Sequence, residues 1–152
     1  MDSIFLPVRH MQQRHSGECL AACALMVLDY AGISIRYQQL LRLLVIKLGI
    51  GAPSSNVLKL ASLGVNILYK QGNMQILRQH LLLKQPCIAF VDTSELPYWN
   101  QDTDHAVVVV GMDDDMVYLN DPHLDIAPVQ TSIGDFDLAW LARDEMYAVI
   151  ES

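Results

Sequence analysis

The chain has 152 residues, 52% hydrophobic and 18% charged, enough apolar material for one core and a single domain over residues 1–152. A net charge of −7 excludes the basic footprint that nucleic acid or an anionic lipid surface demands. Three cysteines are too few and too odd for a secreted disulfide framework, and no basic start followed by an apolar stretch marks a signal peptide, so a reducing, cytoplasmic setting without membrane insertion is expected.

Taken in order, residues 4–8 make a short lead-in to a polar loop that carries Gln12 and Gln13. Ser16, Gly17 and Glu18 are turn and cap residues, and Glu18 suits the positive end of a helix dipole. From Cys19 the chain runs without a charge to Asp29, a length that fits a buried helix and is too short for a bilayer. Gly32 stops it. Residues 37–48 are Leu-rich and amphipathic and predict a second helix, broken by Gly49, Gly51 and Pro53. A third helix is expected over 56–63, ended by Gly64, then a strand over 65–69 and a helix over 74–83. The second half changes character. Residues 87–91 read as a strand, 92–104 as a polar loop, and 106–110 and 116–119 as a hairpin around a turn at 111–115. A short helix over 136–141 and a strand over 146–150 close the chain. The expected class is α+β, with a helical part packed on a small antiparallel sheet.

Two features of this layout carry chemistry. Cys19 stands where a polar loop becomes a helix, and the unpaired N–H groups and dipole of a helix start favour thiolate over thiol. His105 stands at the mouth of the strongest strand, on a rigid element as a general base requires. Asp121 ends the partner strand, and residue 113 in the turn is the midpoint of 105 and 121. The two should therefore be neighbours across the ladder, with Cα atoms about 5 Å apart. An imidazole with a carboxylate to orient it can activate a thiol. An amide at 121 could still accept from the ring, so Asp121→Asn is expected to cost less than His105→Ala.

The residues Gln13, Cys19 six positions on, the Ala-Cys-Ala-Leu-Met-Val-Leu-Asp-Tyr-Ala-Gly helix, Asp104-His105 before the valine run, and Tyr118-Leu-Asn-Asp121-Pro122 together resemble the bacteriocin-processing, double-glycine peptidase family. The resemblance implies a papain-like fold, with Cys19 as nucleophile, His105 as base, Asp121 as its orienter and Gln13 as the side-chain donor of the oxyanion hole. It also implies cleavage after Gly-Gly in a leader peptide. Many members are N-terminal domains of ATP-driven export transporters, whereas this chain, with neither membrane spans nor a GxxxxGK(S/T) loop, resembles a free-standing member for which an export transporter is a candidate partner. The family usually has Asp-Cys-Gly at the nucleophile, where this chain has Glu18-Cys19-Leu20. Leu20, with Tyr98 and Trp99 in the loop before His105, adds bulk beside the expected cleft, so these three are candidate substrate-binding residues. No metal or organic cofactor is implied. Cys23 and Cys87 read as core, and Asp113, Asp114 and Asp115 as a solvated turn without calcium-loop spacing. An amidase or transpeptidase acting on a small peptide, and a non-catalytic peptide-binding module, remain open on the same frame.

Overall fold

The computed structural model describes residues 3–151. Its first long helix, α1, spans Cys19–Tyr30, with Glu18 in the N-cap position. Leu20 to Ala24 and Met26 to Leu28 are all buried, as suits a helix enclosed by other layers rather than laid on a surface. Gly32 takes the left-handed turn at φ +81°, and the Ile33 N–H donates back to the Leu28 carbonyl at 2.9 Å.

The strands are β1 (Ile4–Phe5), β2 (Asn66–Gln71), β3 (Cys87–Asp92), β4 (Asp104–Met112), β5 (Met116–Asn120), β6 (Val129–Ser132) and β7 (Met146–Glu151). They join one seven-stranded sheet in the order β2-β7-β3-β4-β5-β6, with β1 paired to the far end of β4. Every pairing is antiparallel. The remaining helices are α2 (Tyr37–Leu43), α3 (Met74–Leu82) and α4 (Ile133–Leu141), with 3-10 helices over Ser54–Leu63 and Thr93–Glu95.

β4 is the spine. Ala106, Val108 and Val110 pack with α1 in one apolar cluster, while Val107 and Val109 pack with Leu77 and Leu81 of α3 and with Phe136 and Trp140 of α4 in another. A strand covered on both faces needs apolar side chains at successive positions, which is why its valines are continuous rather than alternating. The sheet is thus larger than the sequence pattern indicates, and helices lie on both of its faces. Gly111 lets β1 cross: a Cβ there would sit 2.7 Å from the Ile4 carbonyl oxygen.

α4 begins at Ile133 and β4 runs over Asp104–Met112, both longer than the sequence pattern indicates, and three elements differ more. α2 ends at Leu43 instead of continuing to residue 48. The Asn56 side-chain amide donates to the Leu44 carbonyl at 2.9 Å, and Val45 turns left-handed at φ 55°. The third helix is of the 3-10 type. β6 is a strand not anticipated at all.

The hairpin register also departs by a small amount. Val108 pairs with Asn120 and Val109 with Leu119, and a bulge between Val109 and Gly111 shifts the pairing toward the turn. Continued outward, that register places Asp121 beside Val107, so His105 and Asp121 are diagonal neighbours rather than directly opposite.

The lead-in loop is laced to the exit of β5. The Asn120 side chain donates to the Val8 carbonyl at 3.0 Å, the Gln13 N–H to the Pro122 carbonyl at 2.8 Å, and His10 Nε2 to the Leu124 carbonyl at 2.6 Å. This lacing brings Gln13 and Asp121 to one end of the sheet. Among the described residues no helix is long and apolar enough to cross a membrane.

Candidate active site

Cys19 is the first residue of α1. Glu18 does not cap the helix with its side chain. Its buried carboxylate instead accepts from the Tyr37 hydroxyl at 2.9 Å, and burial together with that carboxylate pushes the Tyr37 hydroxyl pKa up. The turn before the helix is fixed by Gly17, at φ +84°, where a Cβ would meet the Gly51 nitrogen at 2.8 Å. Only glycine allows the loop around Gly51 to approach the nucleophile's turn so closely.

His105 opens the buried part of β4, and Asp121 follows the last residue of β5. His105 Nε2 donates to Asp121 Oδ1 at 2.7 Å, with both side chains buried. The other ring nitrogen, Nδ1, is not engaged by Asp121, and Cys19 lies near enough for the ring to act on its thiol. Burial is the largest single influence on the Cys19 thiol and would push it up. The polar influence and charge of His105, with backbone groups of Ala106 and Leu20, outweigh burial and hold it below the ordinary thiol value. His105 shows the mirror image. Burial would lower it, but Asp121 and Cys19 raise it to about 9. Burial likewise opposes ionisation of Asp121, yet its bonds to His105, Trp99 and Tyr98 bring it down to about 2. The three groups therefore favour a thiolate, an imidazolium and a carboxylate in a row.

Cys19 and His105 sit on a cavity of about 450 Å³, with Asp121 buried behind His105. Gln13, Leu20, Ile50, Trp99 and His123 share its lining with Cys19 and His105. Gln13 Nε2 donates to the His15 carbonyl at 2.9 Å. Leu20 is buried in the helical core and shows only its edge to the cavity. Tyr98 is not part of the lining; its hydroxyl donates to Asp121 Oδ2 at 2.7 Å. Trp99 also donates to Oδ2, at 2.9 Å, and packs its ring between His105, at 4.8 Å, and His123, at 4.2 Å. Cys23 and Cys87 lie far from solvent, and burial drives both thiols well above the ordinary range.

The model of the peptidase C39 family matches residues 8–143, which include every residue of this cluster. The chain belongs to the peptidase C39 family. It is a cysteine peptidase with the papain-like fold of that family. No curated protein matches it significantly. Among solved structures, a protein described as a C39-like peptidase from Bacillus anthracis is 19% identical and aligns over 100% of this chain and 98% of its own, with a TM-score of 0.84. A double glycine motif protease from an AMS/PCAT transporter, solved in complex with the leader peptide, is 23% identical over 96% of this chain and 92% of its own, with a TM-score of 0.75. The peptidase domain of Streptococcus ComA, a bi-functional ABC transporter involved in a quorum sensing pathway, is 17% identical over 94% of this chain and 97% of its own, with a TM-score of 0.76.

Within this C39 peptidase the sequence reading did not single out His123, whose N–H donates to Asp121 Oδ1 at 2.9 Å. It also gave Tyr98 and Trp99 no part in holding Asp121. A signal existed for the latter: a buried carboxylate requires several donors, and the loop before His105 is where a tyrosine and a tryptophan stand side by side.

Proposed function

We propose that this C39 peptidase cleaves a leader peptide after a small residue, glycine foremost, with Cys19, His105 and Asp121 as its catalytic triad and Gln13 in the oxyanion hole. The observation that carries the reading is the meeting of three groups: a thiol at a helix start, sharing one cavity with an imidazole whose Nε2 is held by a buried carboxylate. The thiolate attacks the scissile carbonyl carbon, and the carbonyl oxygen takes up the charge. The Cys19 N–H, free at the first turn of α1, and the second N–H of the Gln13 amide meet that oxygen. The bond from Gln13 to His15 fixes the plane of the amide beforehand. His105, already protonated, gives its Nδ1 proton to the leaving amine as the tetrahedral intermediate collapses. It then takes a proton from the water that hydrolyses the thioester. Asp121 keeps the ring oriented and its positive charge matched.

The substrate class follows from the structural neighbour described as a double glycine motif protease with leader peptide and from the crowding of the cavity by Leu20 and Trp99. A large side chain at the scissile position would overlap that wall, at about 1–3 kcal/mol for each poorly fitted group. The remaining binding energy then comes from a leader segment upstream. A single peptidase domain over 1–152, acting in the cytoplasm beside an export transporter, fits this role. The test is a peptide series with Gly, Ala, Leu or Phe at the scissile position, each with and without an upstream leader. Cleavage should be fastest at Gly with the leader attached and absent in Cys19→Ala. A preference for Leu or Phe, or no gain from the leader, contradicts the proposal.

A further inference from the structure

Asp121 is held by more donors than an imidazole orienter needs. Oδ1 accepts from His105 Nε2 at 2.7 Å and from the His123 N–H at 2.9 Å, and Oδ2 accepts from the Tyr98 hydroxyl at 2.7 Å and the Trp99 indole Nε1 at 2.9 Å. Asp121 is fully buried, and these donors fill the acceptor capacity of an ionised carboxylate, about four lone-pair sites. They are not equivalent. An indole N–H and a backbone N–H only donate, and His105 Nε2 carries its proton while Nδ1 faces the thiol. The Tyr98 hydroxyl alone can turn and accept.

An asparagine offers one acceptor oxygen and one NH₂ group. With its oxygen toward His105, its NH₂ points at the Trp99 indole N–H. Turned over, the NH₂ points at His105 and His123. Each orientation sets donor against donor in a buried site. We propose that Trp99 is a positioning residue that requires a carboxylate, and excludes an amide, as the third member of the triad. The assignment rests on the triad reading above. Beyond the charge lost beside His105, it makes Asp121→Asn harmful for a reason local to Trp99: replacing the indole with a phenyl ring keeps a ring beside His105 and His123 and removes the donor. The introduced amide could then direct its NH₂ at a turned Tyr98 hydroxyl and its oxygen at His105.

The experiment follows alkylation of Cys19 by iodoacetamide across pH, read by mass spectrometry, so no peptide substrate is involved. Asp121→Asn should slow alkylation at about pH 6 by roughly 10- to 100-fold, as an unmatched buried donor implies, and move its acid limb to higher pH. Adding Trp99→Phe should restore part of the rate, the part lost to the donor clash, while the shifted limb follows the lost carboxylate charge and stays; adding Tyr98→Phe should restore no rate. Unchanged alkylation in Asp121→Asn, or equal effects of the two second substitutions, overturns the assignment. His105→Ala separates the two readings. If it alkylates like the parent, the triad itself fails; if it is slow while Trp99→Phe gives no rescue, only the role of Trp99 fails. Should Asp121→Asn not fold, the indole proton of Trp99 in the parent decides. Protection from exchange with solvent is expected, and free exchange overturns the assignment.

Discussion

Cys19 and Cys23 stand one turn apart on the same helix, and their chemistry diverges completely. At the mouth of α1, Cys19 meets His105 and a cavity, and its thiol is held below the ordinary value despite burial. One turn inward, Cys23 is fully enclosed, and burial, with the charges of Cys19 and Asp121, pushes its thiol well above that value. Residue type and helix are shared, so the difference comes from location: what reaches the sulfur from outside the helix. A thiol becomes a nucleophile where a cation compensates the loss of water, and stays inert where nothing does.

The largest effect should come from removing each sulfur in turn. Cys19→Ala is expected to abolish turnover, a fall on the order of 10⁶ if the nucleophile behaves as in other triads, while Cys23→Ala should keep kcat and lose only stability, measured by thermal unfolding. A dead but folded Cys23→Ala would break the comparison. Gln13→Ala should lower kcat by about 10²–10³ with little change in KM, because its donor meets charge that exists only in the transition state. A normal kcat in the folded variant would assign the oxyanion to another group.

A smaller effect is expected from pH. The reactive pair exists while Cys19 is ionised and His105 protonated. Activity should therefore rise as pH passes the lowered Cys19 value and fall as His105 loses its proton near 9. An activity that climbs steadily from pH 8 to about 10, the behaviour of an ordinary thiol, would mean that His105 does not compensate Cys19.

The sequence carried much of this arrangement, for reasons tied to particular residues. The charge-free run after Cys19 and the valine run after His105 are strong local signals, and the short 111–115 turn places the start of one strand near the end of the next. The bulge in β4 was not legible, because Gly111 reads equally well as a turn residue until β1 is seen crossing it. That bulge is why His105 and Asp121 meet diagonally. The end of α2 was hidden because its cap is supplied by Asn56, across a loop, while the Leu-rich pattern runs on. β6 was hidden because Val129-Gln-Thr-Ser132 is a short edge strand whose partner, not its composition, makes it one. The donors on Asp121 were missed because aromatic residues beside a cleft suggest substrate contact, whereas the hydroxyl of Tyr98 and the indole N–H of Trp99 point inward to a carboxylate.

The most direct test of the central claim is competitive labelling of the folded protein with iodoacetamide at about pH 6, with the extent at each cysteine read by mass spectrometry in the parent and in His105→Ala. Cys19 should label first and nearly alone in the parent, and its rate should drop to that of an ordinary thiol when His105 is removed. Equal labelling of Cys19, Cys23 and Cys87, or a Cys19 rate indifferent to His105, would contradict the account.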